Sequence, residues 1–108
     1  MLGIKSIIYQ KNNEYFIINV GNECNILYKG ISKKIDNKLI FNYLESLFAI
    51  INGWQKQYIN TRMIDGQDWK LSINLIDSNK KEYYGHSEFP INFEAFERLN
   101  QKIIDEVI

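Results

Sequence analysis

One stretch restricts the fold of this chain more than any other. Trp69, Leu71, Ile73 and Leu75 alternate without interruption with Lys70, Ser72 and Asn74. Successive side chains of a strand leave opposite sides of the backbone, so this pattern is that of a strand buried on one face. Asp77-Ser78-Asn79 follow, all turn-forming residues, and then Lys81 to His86 as a second strand. The parity of the connecting loop decides which side chains of the second strand meet water, because pairing repeats every two residues. An even loop would place Glu82, Tyr84 and His86 on the face of Leu71 and Leu75, burying a carboxylate with no visible partner. An odd, three-residue loop avoids that penalty. It sets Tyr83 opposite Ile73 and Gly85 opposite Leu71 on the core side, and turns Glu82, Tyr84 and His86 outward beside Lys70, Ser72 and Asn74.

The hairpin is bracketed by further punctuation. Asp65-Gly66 reads as a turn before it, and Pro90 ends it, since proline cannot donate to a ladder. Asn92 is placed to cap a helix, with Ile91 and Phe96 spaced for a hydrophobic staple across the cap. Phe93, Phe96, Leu99, Ile103 and Val107 then recur at threes and fours, the apolar stripe of an amphipathic helix.

Upstream, Ile4 to Tyr9, Glu14 to Val20 and Cys24 to Tyr28 are strand candidates. Lys11-Asn12-Asn13 and Gly21-Asn22 are the turns between them, which predicts an antiparallel meander. Ile31 to Lys38 is polar and reads as a surface connection. A helix capped by Asp36 or Asn37 follows, with Ile40, Leu44, Leu47, Phe48 and Ile51 on one face. Gly53 marks its end, although Trp54 and Tyr58 continue the spacing past it; Asn60 to Gly66 is a loop. The expected fold is α+β, one domain over 1–108 in the order βββαββα. It is a five-stranded antiparallel sheet with two helices on one face, packed around Leu44, Phe48, Leu71, Ile73, Phe96 and Leu99.

Thirteen basic and thirteen acidic residues leave a formal net charge of zero, and Arg62 and Arg98 are the only arginines. That balance disfavours nucleic acid as a partner, because affinity for phosphate backbones rests on clustered cations. A single Cys24 permits no internal disulfide, and no apolar run is long enough for a membrane span. With no signal-peptide pattern at the N-terminus, the expectation is a cytoplasmic protein.

The sequence contains no phosphate-binding glycine loop, no Cys-x-x-Cys and no His-Glu-x-x-His. His86 is the only histidine; Asp65, Asp68 and Glu88 are close enough in sequence to pair with it. A metal site from His86 with Asp65 or Asp68 has suitable ligand types without diagnostic spacing. No catalytic residue, metal or cofactor is therefore assigned. The outward face of the hairpin, with Tyr84, His86, Lys70 and Asn74, is the predicted contact surface for a protein partner of a monomer or homodimer. Tyrosine supplies large contact area at small entropic cost. The alternatives are a sheet that stacks nucleic-acid bases on its aromatics and a small hydrolase centred on His86.

The pattern Asp65-Gly66-x-x-Trp69, followed by Tyr84-Gly85-x-x-x-x-Pro90-x-Asn92-Phe93-x-x-Phe96, resembles the C-terminal half of small uncharacterised α+β proteins of low-GC bacteria. Members carry Gly-x-Asn where this chain has Gly85-His86-Ser87. The resemblance implies an α+β scaffold without a known activity. Small domains of this kind are frequently immunity, antitoxin or phage counter-defence proteins, so it further implies an inhibitor that neutralises a partner protein.

Overall fold

The computed structural model describes residues 3–62 and 66–108. Met1 and Leu2 lie outside the described residues, as does Asp65, half of the expected Asp65-Gly66 turn and one of the carboxylates considered for His86. The elements run β1 (Ile4–Lys11), β2 (Glu14–Asn19), β3 (Asn25–Tyr28), β4 (Ile31–Lys34), α1 (Asn37–Ile51), β5 (Gln57–Ile59), β6 (Asp68–Leu75), β7 (Lys80–His86) and α2 (Phe93–Val107). The strands form one seven-stranded sheet in the order β4-β3-β2-β1-β6-β7-β5. It is mixed, because β5 runs parallel to β7 while the other neighbours are antiparallel.

This corrects the expected five-stranded antiparallel sheet by two strands, each with a local cause. Ile31–Lys34 is exposed at all four positions and so has no buried alternation to betray it. It is a strand because Lys29-Gly30 makes a two-residue turn with φ of 49° and 77°, which folds it back onto β3. Two positive φ values are the geometry that suits a tight hairpin, and lysine in place of the usual asparagine conceals it. Gln57–Ile59, where the helical spacing continues through Tyr58, is three residues that pair with β7, Ile59 also bridging Ser87 just past its end. The helix does not reach them: α1 stops at Ile51, Gly53 turns at φ 87°, and Trp54 N–H donates to the Ile51 carbonyl at 2.9 Å.

α1 carries the chain from one edge of the sheet to the other. Its 15 residues give roughly 22 Å at about 1.5 Å each. Seven strands at about 4.8 Å spacing place the outer two some ~29 Å apart, and the flanking segments make up the difference. Both helices lie over the same face: Tyr43 of α1 meets Phe16, while Phe96 and Phe93 of α2 meet Tyr9 and Trp69. Between sheet and helices lie Ile7, Ile18, Ile26, Ile40, Leu44, Leu47, Trp69, Leu71, Ile73 and Phe96, all at 2% exposure or less. Phe48 and Leu99, expected in this core, are only half-buried at its margin. The stripe that faces the sheet on α1 is Ile40-Leu44-Leu47-Ile51, and Phe48 sits about 100° round the helix from Leu47.

The hairpin keeps the expected parity, with its register moved by two residues. Leu71 pairs with Tyr83 and Trp69 with Gly85, whereas Ile73 pairs with Lys81. The three-residue loop is Ile76-Asp77-Ser78, with Ser78 at φ 71° and Leu75 N–H donating to the Asn79 carbonyl at 2.8 Å. Gly85 accounts for the slip, being the only strand residue that fits beneath the Trp69 indole. A Cβ there would overlap Trp69 Nε1, the atom that donates to the Glu88 carbonyl at 2.9 Å. Asn92 also departs from expectation, for its side chain makes no cap hydrogen bond. Its Oδ1 accepts from Trp54 Nε1 and its Nδ2 donates to the Ile50 carbonyl, both at 2.6 Å, so it ties the end of α1 to the start of α2. Ile91 is fully exposed, so the staple onto Phe96 does not form.

Candidate functional site

The face of the sheet opposite the helices is ordered by its register into rows. One row runs Gln57, Tyr84, Lys70, Gln10, Tyr15. The next runs Glu82, Ser72, Ile8, Ile17, Leu27. A third runs Lys80, Asn74, Ser6, Asn19, Asn25, and a short fourth has Ile59, His86 and Asp68.

Three of the four predicted contact residues come together on this face. Tyr84 is 39% exposed, between Lys70 and Gln57. Lys70 Nζ reaches Glu82 Oε2 at 2.9 Å, and Glu82 also receives the Ser72 hydroxyl at 3.2 Å and lies 3.6 Å from Lys80 Nζ. His86 Nδ1 meets Asp68 Oδ1 at 2.5 Å, so Asp68 supplies the carboxylate, while Ile59 of β5 flanks the imidazole on its other side. Asn74 is separate. Two rows from Tyr84, it donates through Nδ2 to Ser6 Oγ at 2.9 Å.

The Lys70 ammonium, by hydrogen bond and charge, holds the Glu82 carboxyl below the usual carboxylate range, with Lys80 and Ser72 adding to the effect. A carboxyl depressed on folding stabilises above its unfolded value, and that contribution is lost as pH falls through the folded value. The stability difference between wild type and Glu82→Gln should therefore be largest near neutral pH and shrink toward zero in acid. Urea denaturation of both proteins at stepped pH measures it; a difference that grows on acidification would refute the assignment. Both lysines are half exposed, so the expected gap is under about 1 kcal/mol.

The Asp68–His86 pair has the geometry of the orienting half of a catalytic dyad, a carboxylate on an imidazole nitrogen. A nucleophile must lie within hydrogen-bond reach of the base. Ser87, the adjacent hydroxyl, turns at φ 53°, and its Oγ is buried with no hydrogen-bond partner among the described residues. It packs against Gly66. Among the described residues, no three of His, Cys, Asp or Glu are grouped to hold a metal ion, and no helix is long and apolar enough to cross a membrane.

Two features escaped the sequence reading. Gln57 and Ile59 join the face because β5 extends the sheet beyond β7, and three residues are too few for a periodic signal. On the helix side, a cleft of about 550 Å³ opens between the β1–β2 hairpin and α2. There Glu97 Oε2 accepts from the Tyr9 hydroxyl at 3.1 Å and from Lys11 Nζ at 3.0 Å. Burial, reinforced by Glu97, pushes the Tyr9 phenol well above its ordinary value and keeps it protonated. Residues 88 positions apart leave no trace of such a pairing in sequence. No protein-family model, curated protein or solved structure matches this chain.

Proposed function

We propose that this chain is a non-enzymatic protein-binding module of the inhibitor or immunity type, which neutralises a partner by covering it with the helix-free face of its sheet. The observation that carries this reading is the set of exposed apolar side chains on that face: Tyr15 at 52%, Leu27 at 36%, Ile59 at 46% and Tyr84 at 39%. They project from a sheet whose opposite face is packed by two helices, and rigid presentation reduces the entropy lost on binding. Between them lie Lys70–Glu82 and His86–Asp68, which add charge-specific contacts at the rim. Tyr84 is the anchor, flanked by Lys70 and Gln57 on a paired inner strand rather than on a loop.

Capture from the cells that make the protein tests this with three baits: wild type, Tyr84→Ala and, on the exposed side of α2, Lys102→Ala. Tyr84→Ala should leave unfolding free energy within about 1 kcal/mol of wild type, as at most exposed positions, and should lose the captured protein. Lys102→Ala should retain it. Retention of the same partner by Tyr84→Ala would sink the proposal. A captured species that is removed by nuclease and lost steeply with salt would point to the nucleic-acid alternative instead.

A further inference from the structure

β4 is one edge of the sheet, and its outer side is open. The Ile35 N–H donates to the Cys24 carbonyl at 2.9 Å, which makes that opposed pair a hydrogen-bonded one. Such pairs alternate along an antiparallel ladder. Lys33 opposite Ile26 and Ile31 opposite Tyr28 therefore also turn their backbone groups toward β3. The N–H and C=O of Ser32 and Lys34 point the other way, out of the sheet. No described residue bonds to them, and all four residues of β4 are exposed. An edge of this kind is a template for a further strand.

Charge decides which strand fits. Lys29, Lys33, Lys34 and Lys38 cluster on and beside β4 with Asp36 the one acid between them, although the chain as a whole is neutral. Lys34 meets Glu23 at 3.5 Å, with the two side chains 80% and 74% exposed, so that pair screens little. Strand side chains alternate, which puts Lys34 on the helix-free face in line with Asn25 and Lys33 on the helix side in line with Ile26. Ile31, 45% exposed, shares the helix side with Lys33. A second copy fits poorly. The antiparallel register that uses the outer groups of both Ser32 and Lys34 would set Lys33 directly opposite its own counterpart, like charge against like.

We propose that the β4 edge takes up an extended acidic segment of a partner protein as an added antiparallel strand. Its backbone bonds to Ser32 and Lys34, consecutive carboxylates lie beside Lys34 and Lys33, and an apolar side chain lies beside Ile31. The edge stands five strands from Tyr84 and is independent of the face proposed for partner binding.

Titration of the ¹⁵N-labelled full chain with the capped peptide acetyl-Thr-Glu-Glu-Thr-Val-Thr-amide, followed by NMR, tests the proposal. Amide exchange at Ser32 and Lys34 should slow at saturation, while Ile31 and Lys33, already bonded to β3, should keep their rates. Lysine in place of both glutamates should weaken binding at least about tenfold, one decade in Kd. N-methylation of the first glutamate and the second threonine, whose N–H groups face β4, should weaken it as much. Lys33→Glu combined with Lys34→Glu, both at exposed positions, should reverse the preference between acidic and basic peptides. Tyr84→Ala should bind the acidic peptide as wild type does. Equal affinity of the N-methylated peptide would leave charge attraction alone and overturn the proposal. So would equal affinity for the acidic and basic peptides, or the absence of shifts. Protection of Ser32 and Lys34 that grows with protein concentration without peptide would make the occupant a second copy, and would overturn it too.

Discussion

Phe96→Ala should lower the free energy of unfolding by about 3–5 kcal/mol, the range for truncating a buried phenylalanine. Phe96 is fully buried and stands at the centre of an aromatic cluster, edge-on to Tyr9 at 4.8 Å and beside Trp54 and Phe93, each at 5.6 Å. Those rings come from β1, the segment after α1, and α2, so the cavity left by alanine cannot be closed by shifting one element alone. For a domain whose total stability is about 5–15 kcal/mol, this is a large fraction. Urea denaturation followed by tryptophan fluorescence measures it, because Trp54 and Trp69 both report on the cluster. An unchanged midpoint would mean that α2 is not docked on the sheet through Phe96.

Gly85→Ala is expected to be nearly as damaging, although it adds a single methyl group. That methyl would overlap Trp69 Nε1 and stand 2.6 Å from the Glu88 carbonyl oxygen. The two atoms are the partners of one hydrogen bond, so the substitution must break the bond or displace the chain between Gly85 and Pro90. The expected loss is about 3 kcal/mol, the upper part of the overpacking range. Unlike Phe96→Ala, it should also disturb the open sheet face, because Tyr84 and His86 flank Gly85 on β7. Loss of partner capture by Gly85→Ala at a temperature where the variant is still folded would link the Trp69 packing to the presentation of Tyr84. A stability equal to wild type would show that the indole is not seated over Gly85.

Stability and the proposed binding function therefore draw on opposite faces of the same strands. On β6, Trp69, Leu71 and Ile73 hold the helices, while Lys70 and Ser72 pair with Glu82 on the other side and Asp68 meets His86. A register slip of one residue would exchange the two sets, whereas a slip of two preserves them. This is why the outward placement of Tyr84, His86 and Lys70 did not depend on locating the turn to the residue.

What the sequence determined by itself was periodicity: β1, β2, β3, β6 and β7, both helices, and which side of the central hairpin faces water. Those follow from alternation and helical spacing, where each side chain's environment is set by near neighbours in the chain. The tertiary structure decided what has no period. β4 exists because Lys29-Gly30 turns tightly, and β5 because three residues find an edge on β7. Asn92 serves Trp54 and Ile50 rather than its own helix, since a buried indole N–H and an orphan helix-end carbonyl both need partners. The contact of Tyr9 and Lys11 with Glu97 belongs to the same class, joining groups brought together only when separate elements pack, at distances in sequence over which local propensity carries no information. The Asp68–His86 contact stands between the two: Asp68 is one of the carboxylates near His86 in sequence, and the hairpin register sets the two side by side.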